Sequence, residues 1–149
     1  MGGRGKERTV RAIIDREGET RHAEPGAGPR SRLTAPGALL RVEGGVLLVT
    51  SALFYWVNGG SWVLFALLIL APDLSMLGYL FGTKVGAATY NLAHTYALPA
   101  GLAVFGVTAG SPLAVSVALV WFAHIGMDRL VGYGLKYTSG FRDTHLDRV

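Results

Sequence analysis

The residues able to do chemistry are few, and they fall close together. The stretch from Trp121 to Asp147, WFAHIGMDRLVGYGLKYTSGFRDTHLD, begins as apolar sequence. It then gathers His124, Asp128, Arg129, Tyr133, Lys136, Tyr137, Arg142, Asp143 and His145. Upstream, Asp73, Asn91 and His94 interrupt runs that are otherwise apolar. Imidazoles and carboxylates from separate segments suit a divalent cation such as zinc, whose bound water becomes a nucleophile at neutral pH. The chain has no cysteine, so thiolate ligands, disulfides and a cysteine nucleophile are excluded. The expected ligands are His94, His124, and either Asp128 or His145. Asp73 is placed as general base and Asn91 as hydrogen-bond donor, in a metal-dependent hydrolase acting on a lipid-like substrate within the membrane. No compact motif such as HExxH marks the metal set.

Three other readings compete with the hydrolase. The leading one is a structural or binding membrane protein, whose polar residues satisfy one another across helices. A haem b between His94 and His124 is a third, since bis-histidine ligation in a helical bundle is geometrically simple. Transport ranks below these, because four helices without internal repeats make a poor transporter.

These residues must be positioned by helices in lipid. Half of the 149 residues are apolar and 16% are charged, against about 25% in soluble chains. Between Gly44 and Met127 the only formal charges are Asp73 and Lys84, too few to solvate a soluble surface. Residues 1–36 differ: Gly, Pro and charges of alternating sign predict a disordered polar arm. The first long apolar run begins near residue 38, too late for a signal peptide. Nine of the 14 Lys and Arg lie in the first 41 residues, interleaved with acids. That self-neutralised pattern argues against a nucleic-acid partner.

Four apolar segments follow, at about residues 38–57, 62–81, 85–107 and 112–130. Each is long enough for the roughly 20 residues that cross a hydrocarbon core. Backbone groups must be satisfied internally there, so all four are read as helices. Short links make neighbours antiparallel. The prediction is an all-α membrane protein, an up-down-up-down four-helix bundle over 37–132, with a short cytoplasmic tail over 133–149. Ser61 and Ser111-Pro112 read as helix starts. Small residues such as Ala93, Ala97 and Gly101 make the third helix the expected central one.

With the N-terminus inside, every Lys and Arg falls on the cytoplasmic side, as the positive-inside rule asks. This predicts a multi-pass protein of the cell (inner) membrane with both termini cytoplasmic. At a rise of about 1.5 Å per residue, Asp73 lies about 12 Å deep, Asn91 and His94 about 10 and 15 Å, and His124 about 9–12 Å. Asp128 lies nearer the surface, at about 3–6 Å. Ionisable groups at such depth are costly without partners or a wet cavity. Asn91 and His94 share a face at i,i+3, as do His124 and Asp128 at i,i+4. Pro72 and Pro99 free the carbonyls of Leu68 and Thr95 beside Asp73 and His94.

The tail admits two accounts. It is an interfacial anchor, with Tyr133, Tyr137 and Phe141 at headgroup level and Lys136 and Arg142 on anionic lipid phosphates. Or it folds back under the bundle and brings Asp143 or His145 to the polar layer. The partners expected are the bilayer, anionic headgroups and a second copy of the chain.

The strings LLRVEG (39–44), LAPDLSMLGY (70–79), YNLAHTY (90–96), AHIGMDRLVGYGLKY (123–137) and GFRDTHL (140–146) resemble bacterial membrane proteins of the domain of unknown function 4260 family. The resemblance covers about residues 38–148. It implies a small polytopic membrane protein without an established activity, and it supplies no catalytic residues.

Overall fold

The computed structural model describes residues 36–139 together with Thr144 and Leu146. The arm expected over 1–36 thus falls, but for Pro36, outside the described residues, as do Arg142, Asp143 and His145. The described residues are helical throughout the apolar region. Helix α1, Pro36–Val57, opens on a proline whose missing N–H costs nothing at a first position. It closes in a turn at Asn58–Gly60, pinned where the Tyr55 hydroxyl donates to the Ser61 carbonyl at 2.7 Å.

The second segment is not one α-helix. Helix α2, Trp62–Leu68, is capped by the Ser61 hydroxyl as expected. It stops at Leu68, the residue whose carbonyl the Pro72 ring would strike. A 3-10 helix then runs from Ala71 to Phe81. Such helices place i and i+3 in line, and runs beyond three or four residues are uncommon. Here the sequence supports the longer run. Ala71, Leu74, Leu77 and Leu80 recur every third residue and are exposed, while the residues between them turn inward.

The third segment is also broken. Helix α3, Thr83–Ala93, ends at His94, and helix α4, Ala97–Thr108, begins three residues later. Pro99 explains the position, because its ring excludes the hydrogen bond to the Thr95 carbonyl. The continuous third helix expected over 85–107 is therefore two shorter ones. Helix α5, Pro112–Val131, is unbroken, capped by Ser111 at its start and by left-handed Gly132 at its end. Among the described residues, three helical stretches are long and apolar enough to cross a membrane: Pro36–Val57, Trp62–Phe81 (α2 with the 3-10 helix) and Pro112–Val131.

Helix α5, rather than the third segment, is the centre of the packing. Both α1 and α4 lie against it, and the 3-10 helix packs on α3. Its buried side is Ala118, Val120, Ala123, His124, Ile125, Gly126 and Arg129. The close approach runs through Gly126: a Cβ there would stand 2.7 Å from the Gly44 carbonyl oxygen. Gly101, expected at an interface, has open space where a Cβ would stand. Arg129 is buried as well.

Candidate metal centre

Each break in the helices delivers a side chain to one place. Asp73 comes from the first turn of the 3-10 helix, and His94 caps the end of α3. His124 and Asp128 stand one turn apart on α5. His94 Nε2 and His124 Nε2 are 3.0 Å apart. Asp73 Oδ1 lies 3.5 and 3.6 Å from these two nitrogens. Asp128 Oδ2 lies 3.5 and 3.8 Å from them. All four ligand atoms fall within 4.8 Å of one another. A tetrahedron with zinc bonds of about 2.0–2.2 Å has edges of roughly 3.3–3.6 Å, so the set has the size of a coordination shell. The histidine side chains are 3% and 0% exposed, and the carboxylates 29% and 13%.

Tyr90 organises this set and was not among the residues expected from the sequence. Its carbonyl is 2.8 Å from His94 Nδ1. A carbonyl only accepts, so Nδ1 carries a proton and Nε2 is the nitrogen turned toward the cluster. The Tyr90 ring lies stacked on the imidazole, with centroids 3.7 Å apart. Its hydroxyl donates to Asp128 Oδ2 at 2.9 Å. Outer contacts of this kind orient the ligands of metal sites. The i,i+4 spacing of Tyr90 and His94 was the signal available in the sequence. Trp121 completes the support by donating from Nε1 to the Ala93 carbonyl at 2.7 Å, capping the broken end of α3.

Asn91 does not join the cluster. Its amide nitrogen donates to the Lys136 carbonyl at 2.9 Å, and its oxygen accepts from the Lys136 N–H at 2.7 Å. The side chain thus holds the tail as a neighbouring strand would. The tail folds back at this point, with Gly134, Lys136, Thr144 and Leu146 buried and an antiparallel bridge between Lys136 and Thr144. Lys136 itself is buried rather than exposed at the surface. Its ammonium sits 4.4 Å over the Tyr90 ring. Burial pushes it below the usual lysine range, against the opposing influence of Asp128 and Asp73. Tyr133 and Tyr137 remain exposed, as an interfacial anchor requires. A cavity of about 180 Å³ lies between the tail and the cluster, lined by Asp73, Met76, Tyr90, Asp128, Tyr133 and Lys136.

The chain matches the family described as Domain of unknown function (DUF4260) over residues 37–149. It belongs to that family. No curated protein matches the chain. No solved structure matches it either. The DUF4260 region contains every residue of the cluster, the Asn91 clamp and the cavity. The haem reading fails on geometry, because nitrogens 3.0 Å apart leave no room for an iron porphyrin between them.

Proposed function

We propose that this is an integral membrane protein that binds one divalent transition-metal ion through Asp73, His94, His124 and Asp128. The observation that carries the reading is the convergence of two carboxylate oxygens on the same pair of imidazole nitrogens. A single N–H between the rings would satisfy neither acid. With neutral imidazoles the cluster holds two negative charges in a poorly hydrated place, and a divalent cation balances them. Two nitrogen and two oxygen donors suit zinc and its first-row neighbours better than magnesium or calcium. Asp73, expected as a base, is assigned as a ligand.

The chain topology proposed is four membrane passes, up-down-up-down, with both termini on the cytoplasmic side of the cell membrane. The short links and the distribution of Lys and Arg support it. The third pass is the broken pair α3 and α4. Irregular backbone within lipid is tolerated where it is buried in protein or lines a cavity, and the break at His94 meets that condition.

Metal analysis of the purified protein tests the centre. About one equivalent per chain is expected, one ion for the one group of four ligand residues. Loss to background is expected in His94→Ala/His124→Ala. Wild-type protein without stoichiometric metal, or a double variant with unchanged content, overturns the reading.

A second reading, a metal-dependent hydrolase of a lipid-like substrate, is favoured by the cavity beside Asp73 and Asp128. Hydrolysis of short-chain lipid esters that disappears on chelation would support it. No turnover by the metal-loaded protein would leave a binding or structural role.

A further inference from the structure

The cavity has an uneven charge. Asp73 and Asp128 form one edge and Lys136 the other, with Met76, Tyr90 and Tyr133 between them. Without a cation, two carboxylates and one ammonium leave one negative charge, which repels anions. A divalent ion in the cluster reverses that sign to one positive. The space is large enough for several waters, and so for a phosphate group. An anion seated there would meet the metal on one side and the Lys136 ammonium on the other. The Lys136 main chain is held by the two Asn91 hydrogen bonds, and its ammonium sits over the Tyr90 ring. The 3-10 helix adds a further feature. Asp73 and Met76 face the cavity, while Leu74, Leu77 and Leu80 on the same helix are exposed in a line. An acyl chain can follow that line while its headgroup enters.

We infer that the cavity between the metal cluster and Lys136 is a binding site for a phosphate group, closed to anions until the cation is bound. This rests on the metal reading above and names the ligand class of the same site. The phosphate belongs either to a lipid headgroup or to a free anion, and the chemistry of recognition is shared. A phosphate oxygen meets the cation, and the ammonium donates a charge-assisted hydrogen bond to another.

The test uses full-length protein in detergent, loaded with Co²⁺ so that its visible absorption reports the metal's surroundings. It is titrated with inorganic phosphate, with dioctanoyl phosphatidic acid and with neutral dioctanoylglycerol. The expected result is a spectral change with the two phosphates and none with the neutral lipid. A lower midpoint for phosphatidic acid assigns a lipid headgroup, and equal midpoints assign free phosphate. Lys136→Met should raise the phosphate midpoint about tenfold or more, and Lys136→Arg should hold it near the wild-type value. The wild-type titration decides alone should Lys136→Met fail to hold cobalt. The inference is overturned by bound cobalt that ignores both phosphates, by a neutral lipid as effective as phosphatidic acid, or by phosphate binding in excess EDTA. In each of those cases the metal centre itself stands. Failure of the wild-type protein to take up cobalt removes the centre and this site together.

Discussion

Tyr90 touches both imidazole and carboxylate: its ring lies flat on His94 while its hydroxyl holds Asp128 Oδ2. One side chain thereby fixes ligands that come from α3 and α5. Tyr90→Phe keeps the stacked ring and removes only the hydrogen bond. Metal affinity should fall by about 10- to 100-fold, the usual cost of an outer-shell contact. Competition with a chromogenic chelator measures this. An unchanged affinity would show that Asp128 needs no such support.

The clamp between Asn91 and Lys136 makes a separate prediction. Asn91→Ala removes both hydrogen bonds from its side chain to the Lys136 main chain, at a cost of about 1–3 kcal/mol. Hydrogen exchange should quicken at Lys136 and its neighbours, while the metal content remains that of wild type. Loss of the metal would instead place Asn91 among the groups that build the centre.

The packing of α1 on α5 is tested by two glycines. Gly126→Ala forces a methyl against the backbone of α1 and should destabilise the protein by about 1–3 kcal/mol. Gly101→Ala enters open space and should change stability by less than about 0.5 kcal/mol. Unfolding in mixed micelles compares them. The opposite ranking would return the central position to the third segment.

The 3-10 helix predicts a periodicity. The chain has no cysteine, so single cysteines can be introduced and spin-labelled from Asp73 to Phe81. Accessibility to oxygen should peak at 74, 77 and 80, every third residue. A period near the roughly 3.6 residues of an α-helix would show that the segment relaxes in lipid.

Much of this was legible in the residues. The apolar segments follow from hydropathy and the two serine caps from residue type; helix rise brought Asp73, His94 and His124 to one level, and the i,i+4 spacing tied Asp128 to His124. The breaks were half legible. Pro72 and Pro99 marked the carbonyls that would be lost, but a proline bends one helix and ends another according to what else satisfies its neighbours. At Ala93 the Trp121 indole does so, and that contact joins residues 28 apart in sequence. The leucine at every third position was visible from Leu74 to Leu80, yet it also fits an apolar run facing lipid. Asn91 was expected as a hydrogen-bond donor and does donate, but to the Lys136 carbonyl rather than into the cluster, and a main-chain partner carries no sequence signal. His145 lies outside the described residues.

The cluster draws its residues in chain order from three helical segments, with two of the four on α5. A chain made from its N-terminus presents Asp73 and His94 before His124 and Asp128 exist. An aspartate placed alone at the centre of a helix in hydrocarbon costs about 2.5–3.5 kcal/mol on insertion scales. On the proposed topology, the earlier passes enter incomplete, and only the arrival of α5 supplies their counterparts. With the proposed metal, biogenesis would then run in a built-in order: insertion first, assembly of the ligands second, loading with the cation last. A ribosome-stalled chain ending before His124 should hold its second and third passes loosely, open to quality control.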